Sequence, residues 1–388
     1  MRLLHTADWH LGQKLNDKSR KQEHDLFLAW LNNVLKVQKI DVLVVAGDIF
    51  DVANPPNYAL TQYYDFLKKA RPHCRNIVII GGNHDSPATL NAPKLLLEEF
   101  DIHVIGKACE HKIQQIIAVK DNKDTIIGVI AAVPFLRSAD IRTAVSGEMY
   151  TERVKQIKVG IKQFYSEMRD LTLPYKKQGL PIVATGHLTA LGSALEKSDI
   201  SDSERDIYIG NQGNVRADVF TNDFDYVALG HIHKPKRVNK VVEHIRYSGS
   251  PIPLSFSERN EKKQVLLVDF EKGALANITS IAVPINRHLR RFKGDIATVL
   301  HDLETFEAPG KELTTWAEVH VELTEANAAA IDLKKQVEAC VDKKSIEILT
   351  IKVFYKNNTK SLAEQLNAQV SLDDLKPREV FAKKCEGL

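Results

Sequence analysis

Five short motifs carry the residues of this chain that could do chemistry: Asp8-x-His10, Gly47-Asp48-x-x-Asp51, Gly82-Asn83-His84-Asp85, Gly186-His187 and Gly230-His231-x-His233. They offer carboxylates, imidazoles and one amide oxygen, a mixed nitrogen and oxygen donor set without thiolate. Such a set suits Mn, Fe or Zn at a reactive centre better than Ca or a structural zinc site. The donors suffice for two ions. Asp8, His10 and His233 are assigned to one, and Asn83, His187 and His231 to the other. Asp48, with two oxygens, is the natural bridge. Two ions ~3.5–4 Å apart would clamp the attacking and leaving oxygens of an in-line phosphoryl displacement, and would lower the pKa of a shared water.

His84 holds no metal in this allocation. A histidine beside the centre that titrates near neutrality can protonate a leaving alkoxide. Asp51, three residues past the bridge, is expected to hydrogen-bond His84 and keep its second nitrogen protonated. Taken singly, each motif has a plainer reading: Asn83 as a turn residue, Asp85 as a helix N-cap, Asp8 as a loop cap. The recurrence of such motifs five times at strand ends argues against coincidence.

The elements that must position these residues are short apolar runs, 2–7, 42–46, 77–80, 181–185 and 225–229, each ending at a motif. Runs rich in Val and Ile read as strands buried on both faces, and ligands gather beyond the C-terminal ends of such strands. Residues 19–39 carry Leu26, Phe27, Trp30, Leu31, Val34 and Leu35 at helical spacing, an amphipathic helix laid on a sheet. Further helices are expected over 57–70, with Leu60, Tyr64 and Leu67 on one face, over 88–100 and over 151–171. Strands are expected at 113–119, 125–133, 241–247, 264–270 and 274–283. This order fits two mixed sheets packed together with helices outside, an α/β fold of four layers.

Near Pro284 the texture changes. Strands at 288–292, 316–323 and 346–354 alternate with helices at 296–306 and 326–340, and none carries a motif of the earlier kind. The expected organisation is therefore a domain over 1–283, a smaller α+β domain over 284–355, a polar linker over 356–370 and a helix from Ser371 within 371–388. Leu372, Leu375, Val380 and Phe381 would be exposed on that helix, which suits a partner surface. Arg287, Arg290, Arg291 and Lys293 form a basic run at the start of the smaller domain.

The bulk numbers exclude several classes. A chain of 388 residues with 44% apolar and 27% charged residues has the composition of an ordinary globular protein of two or three domains. The net charge of +3 makes no case by itself for nucleic acid. Cys74, Cys109, Cys340 and Cys385 lack C-x-x-C spacing, which fits a reducing compartment. With no hydrophobic leader and no apolar run of ~20 residues, a soluble cytoplasmic protein is expected.

The five motifs together resemble the calcineurin-like metallophosphoesterase superfamily, whose fold is a β-sandwich flanked by helices with a dimetal site at the strand ends. More particular stretches are similar to its SbcD family, the nuclease subunits of bacterial SbcC–SbcD complexes. These are Leu4–Gly12, Ala184–Thr189, Arg205–Gly210, Ala228–His233 and Tyr247–Phe256. The resemblance runs from residue 1 to about residue 381. It implies a four-layer αββα metallophosphoesterase sandwich with a capping domain over a DNA groove. It further implies a Mn-dependent DNase acting with SbcC, a coiled-coil ABC-type ATPase, in DNA recombination, replication and repair. The family degrades duplex ends 3′→5′ and opens hairpins and single strands endonucleolytically. A homodimer through the helices at 57–70 and 88–100 is implied, as is docking of C-terminal helices on SbcC. Only one such helix fits before Leu388, which leaves two alternatives open: a truncated chain, or docking by one helix. A phosphomonoesterase on the same scaffold is the alternative enzyme, although Val52-Ala53 stands where phosphoprotein phosphatases carry Arg-Gly. A non-catalytic interaction module is the other alternative, and the complete set of ligands argues against it.

Overall fold

The computed structural model describes residues 1–142, 148–191, 215–220, 223–238, 242–310, 313–323 and 332–355. The chain divides into two compact units. One runs from Met1 to Leu289 with a short piece at 311–313, and the other takes the remainder from Arg290.

The first unit opens with β1 (Arg2–Thr6), α1 (Lys21–Gln38), β2 (Val42–Ala46), α2 (Asn57–Ala70), β3 (Asn76–Ile80), α3 (Pro87–Asn91), α4 (Lys94–Glu98) and β4 (Ile102–Ile105). There follow β5 (Ile116–Lys120), β6 (Ile126–Ala131), α5 (Ser138–Ile141), α6 (Tyr150–Lys176), β7 (Ile182–His187), β8 (Tyr226–Gly230), β9 (Lys236–Arg237), β10 (Ile245–Tyr247), β11 (Gln264–Glu271) and β12 (Ala274–Ala282). One sheet has the order β12-β11-β1-β2-β3-β4 and a second has β9-β10-β8-β7-β6-β5. In both, the central strands are parallel, so the carboxyl ends of β1, β2 and β3 point one way, as do those of β7 and β8. Antiparallel pairs lie toward the edges.

Three cores hold these layers. Leu3, Val42, Val44, Ala46, Val78 and Ile80 of the first sheet are buried with Ile130, Val183, Tyr226 and Ala228 of the second, forming the sandwich interior. The other face of the first sheet buries Leu4, Leu43, Val45, Ile77 and Ile79 under Phe27, Leu31, Tyr63 and Phe66 of α1 and α2. The other face of the second sheet is covered by Ile157, Ile161, Phe164, Tyr165 and Met168 of α6. Helix, sheet, sheet, helix is the four-layer α/β arrangement that the alternating elements predict. His5 crosses the interior, its Nδ1 meeting the Tyr226 hydroxyl at 2.9 Å. Burial lowers its pKa to about 3 against a weaker opposing backbone bond from Leu229.

The structure corrects several local expectations. The helix expected over 88–100 is two short helices, because Pro93 lacks the amide proton that a continuous helix needs there. The buried face of α2 is Ala59, Tyr63, Phe66, Leu67 and Ala70, whereas Tyr64 is exposed. Of the strand expected over 241–247, the described residues from 242 onward form strand only at Ile245–Tyr247. Among the described residues no helix is long and apolar enough to cross a membrane.

The second unit contains β13 (Leu289–Gly294), α7 (Ile296–Thr305), β14 (Thr315–Leu323), α8 (Leu333–Val341) and β15 (Ile346–Tyr355), with the sheet order β13-β14-β15. Its core is Phe292, Val299, Leu303, Ala317, Val319, Val321 and Val337. Asp295 and Asp332 cap the two helices by accepting from the amides of Thr298 and Lys335. The basic run expected at its start is largely engaged. Arg287, which belongs to the first unit, is buried against Glu23, while Arg291 pairs with Glu318 and Lys293 with Glu322. The linker and helix expected at 356–370 and 371–388, and the stretch Arg205–Gly210, lie outside the described residues.

Candidate metal centre

The five motifs meet at the carboxyl ends of the central strands, and the loops that bear them are tied to one another beyond the sheets. Asp8 N donates to Gly47 O (3.0 Å), His10 N to Asp48 O (3.0 Å) and Leu11 N to Ile49 O (2.9 Å), which zips the β1 and β2 loops together. Asp85 pins the β3 loop to the β2 loop. Its carboxylate accepts from the amides of Gly82 (2.8 Å), Phe50 (2.9 Å) and Ile49 (3.1 Å). Ser86, not Asp85, caps the helix that follows. Burial, with the charge of Asp48 adding to it, pushes the Asp85 carboxyl up to about 6 against these three bonds.

The backbone here is held in an unusual state. Asp8 (φ 55°), His10 (φ 48°), Asp48 (φ 50°) and His231 (φ 94°) are all left-handed, a conformation that costs a non-glycine residue on the order of 1–3 kcal/mol. Two glycines make room for this crowding. A Cβ on Gly82 would lie 2.0 Å from Asp48 Oδ1, and one on Gly47, itself at φ 90°, would lie 2.2 Å from His187 Nδ1.

Second nitrogens of the histidines are fixed by hydrogen bonds, which decides the atom each can offer. His187 Nδ1 donates to Ala46 O (2.9 Å), His10 Nδ1 to Asp51 Oδ1 (3.1 Å) and His233 Nδ1 to Glu258 Oε1 (3.3 Å). Each of these rings therefore presents Nε2. His187 Nε2 faces Asp48 Oδ2 at 3.1 Å and Asn83 Oδ1 at 3.0 Å, and Asn83 Oδ1 also meets His231 Nδ1 at 2.9 Å. Protonated, His187 donates from this nitrogen to Asp48 Oδ2; neutral, it offers a lone pair there to a cation held between them.

Two atoms of the ligand set stand out. Asp8 Oδ2 and His10 Nε2 are buried and make no hydrogen bond among the described residues. His10 Nε2 lies 3.6 Å from Asp48 Oδ2, the oxygen that also faces His187. Unsatisfied buried donors and acceptors are costly in a folded protein, and a bound ion would satisfy both. Ligand atoms of Asp8, Asp48 and His187 lie within 4.8 Å of one another, as do those of His10, Asp48 and His84. The donor set and its geometry fit divalent cations.

The electrostatics agree. Burial alone would lower the His187 imidazole, but Asp48 and Asp8 beside it raise it to about 9. Burial would raise the Asp48 carboxyl, yet the charges of His187, His10 and His84 hold it well below the usual carboxylate range. Asp8 is pushed up by burial despite His187 and His233. His231 is lowered to about 3 by burial and by the neighbouring His187. Acids and imidazoles are thus crowded into one buried site, where burial and the neighbours' charges shift each of them.

Asp51 differs from expectation. Its carboxylate holds His10, and it is its backbone carbonyl that accepts from His84 Nδ1, at 2.7 Å. His84 is further fixed by its own amide, which donates to Asp48 Oδ1 (3.0 Å). Sequence spacing showed that residues 51 and 84 could meet, but not which atoms would. Glu258, Lys263 and the bracing role of Asp85 were not read from the sequence. The signal for Glu258 was its place just after the Tyr247–Phe256 stretch.

Comparison with known proteins shows the family. The calcineurin-like phosphoesterase family matches residues 1–235, and the family described as the type 5 capsule protein repressor C-terminal domain matches residues 286–387. A relative from Escherichia coli K12, named as the SbcD component of nuclease SbcCD, is 35% identical over 99% of this chain and 92% of its own. Proteins of the same name from Rhodobacter capsulatus (35% identical over 74% of this chain and 70% of its own) and Bacillus subtilis (32% over 84% and 80%) are also similar. The chain belongs to the calcineurin-like phosphoesterase family and, within it, to the SbcD family of nuclease subunits.

Proposed function

We propose that the chain is a dimetal phosphodiesterase that cleaves DNA as the nuclease subunit of a complex with an SbcC-type coiled-coil ATPase. The observation that carries this reading is the position of Asp48 Oδ2, 3.1 Å from His187 Nε2 and 3.6 Å from His10 Nε2, between the two ligand sets. Asp8, His10 and His233 would hold one ion, Asn83, His187 and His231 the other, and Asp48 both. Mn is the metal proposed. Two such ions supply Lewis acidity, neutralising charge on a phosphodiester and making a bound water nucleophilic. The chain supplies the proton. With Nδ1 committed to Asp51 O, protonated His84 carries its second proton on Nε2, free to pass to a leaving alkoxide.

A phosphate-backbone surface adjoins the His233 loop. Lys234, Lys236, Arg237, Arg246, Lys262 and Glu261 line a cleft of about 420 Å³, with Arg237 and Arg246 paired to Glu243 beside it. Such a surface grips DNA without reading its bases, so binding should weaken steeply with salt and depend little on sequence. The relatives' name supports an SbcC partner and a DNA substrate, with 3′→5′ degradation of duplex ends and opening of hairpins and single strands as the proposed activities. A cytoplasmic location and a homodimer through the elements at 57–70 and 88–100 belong to the same proposal. There Leu95 and Leu96 are 80% and 65% exposed on α4.

The test is incubation with Mn and linear or hairpin DNA, with and without the ATPase subunit, for the wild type and His84→Gln. Cleavage by the wild type and loss in the variant are expected. No cleavage under either condition would favour the interaction-module reading.

A further inference from the structure

We infer that Glu258 and Lys263 are positioning residues for one of the two metal sites, holding His233 so that Nε2 is the atom it presents. The inference rests on the dimetal reading above and gives a task to the Tyr247–Phe256 stretch, none of whose residues belongs to the proposed ligand set. Both arms of His233 are held from one side. Its Nδ1 donates to Glu258 Oε1 (3.3 Å), and its carbonyl accepts from Ser250 N (3.0 Å) and Lys263 Nζ (3.2 Å). The other Glu258 oxygen accepts from Lys263 Nζ (2.6 Å), Leu254 N (3.1 Å) and Ser250 Oγ (3.3 Å).

Glu258 is fully buried and Lys263 is 2% exposed. An ion pair so far from water is a poor source of stability, because desolvation offsets its attraction and apolar replacements often match it. What the pair does provide is a fixed acceptor at His233 Nδ1, and a metal-bound histidine depends on such an acceptor for its tautomer and ring orientation.

The same loop reaches the other histidine of this ion. Gln13 Nε2 donates to Leu254 O (3.0 Å), while Gln13 N donates to His10 O (3.0 Å). Arg20 anchors the loop from below through Pro253 O (2.8 Å). His187 is held instead by Ala46, and His231 and Asn83 by each other, so the second ion's ligands lie outside this network.

Glu258→Gln separates the two sites. Its amide must turn –NH2 either to His233 Nδ1, which drives the ring proton onto Nε2, or to a cluster that already donates. With the metal-stripped full chain titrated with Mn and bound metal counted, the wild type should take two ions per chain. Glu258→Gln should keep one at wild-type affinity and bind the other about 10–100-fold more weakly. Glu258→Leu/Lys263→Met, which removes the ion pair while keeping the volume apolar, serves if the single variant unfolds. It leaves His233 Nδ1 without its acceptor and should likewise bind that ion more weakly. Two ions at wild-type affinity in either variant would overturn the inference. Fewer than two in the wild type would instead overturn the dimetal reading.

Discussion

Each compact unit buries a cluster of acid, histidine and basic or imidazole neighbours, and the two clusters behave oppositely. In the second unit, Glu318 takes Arg291 on one oxygen and His320 Nε2 on the other at 3.0 Å, with Lys352 at 3.6 Å. Burial would raise this carboxyl, but its bonds to Arg291 and His320 lower it. Both carboxylate oxygens meet donors, and the cluster is complete as it stands. At the strand ends of the first unit the cluster does not close: Asp8 Oδ2 and His10 Nε2 are buried and meet no hydrogen-bond partner among the described residues. Composition alone does not separate a structural cluster from a metal centre. Whether donors and acceptors close on each other does.

Three substitutions probe the open cluster. Asp48→Asn should have the largest effect, removing both ions and with them metal-dependent cleavage. Retention of one ion at full occupancy would break the claim that Asp48 is shared. His84→Gln should keep both ions and lower turnover about 10²–10⁴-fold, the usual worth of a general acid. Equal metal content with unchanged turnover would remove His84 from proton transfer. Asp51→Asn should weaken the His10-bound ion about 10–100-fold, because the carboxylate lies on His10 Nδ1 while its backbone carbonyl remains for His84. A fall in turnover with metal affinity intact would return the carboxylate to His84.

Much of the sandwich was legible because its central strands are short, mostly apolar runs, several rich in Val and Ile, that stop at Gly or Asp. The motifs were legible for the same reason, since each sits where a strand must stop. What was not legible depends on partners distant in sequence. Arg287 reads as part of a basic run, but Glu23 covers it. Glu258 carries no motif of its own, and its role appears only where the loop after β8 brings His233 to it. A single helix is expected over 88–100, yet Pro93 lies inside that range and splits it into two. Asp51 shows a finer limit: spacing brings a residue to its neighbour without choosing between side chain and carbonyl.

The closed cluster gives the smallest effect on the metal-dependent activity and the cleanest control. Glu318→Gln should leave Mn binding unchanged and cost about 1–3 kcal/mol of stability, the penalty for donors left without their acceptor. Its pH signature follows from the direction of the shift. The Glu318 carboxyl is lower in the folded chain than in the unfolded one, where it titrates near 4.5. Its contribution is therefore complete above that pH and is lost as the solution is acidified through the folded value. Thermal midpoints measured from pH 7 downward should fall for the wild type once the pH drops below about 4.5, and the gap to Glu318→Gln should narrow there. A gap that stays constant through this range would mean that Glu318 is not held ionised by Arg291 and His320, and the contrast between the two clusters would lose its closed member.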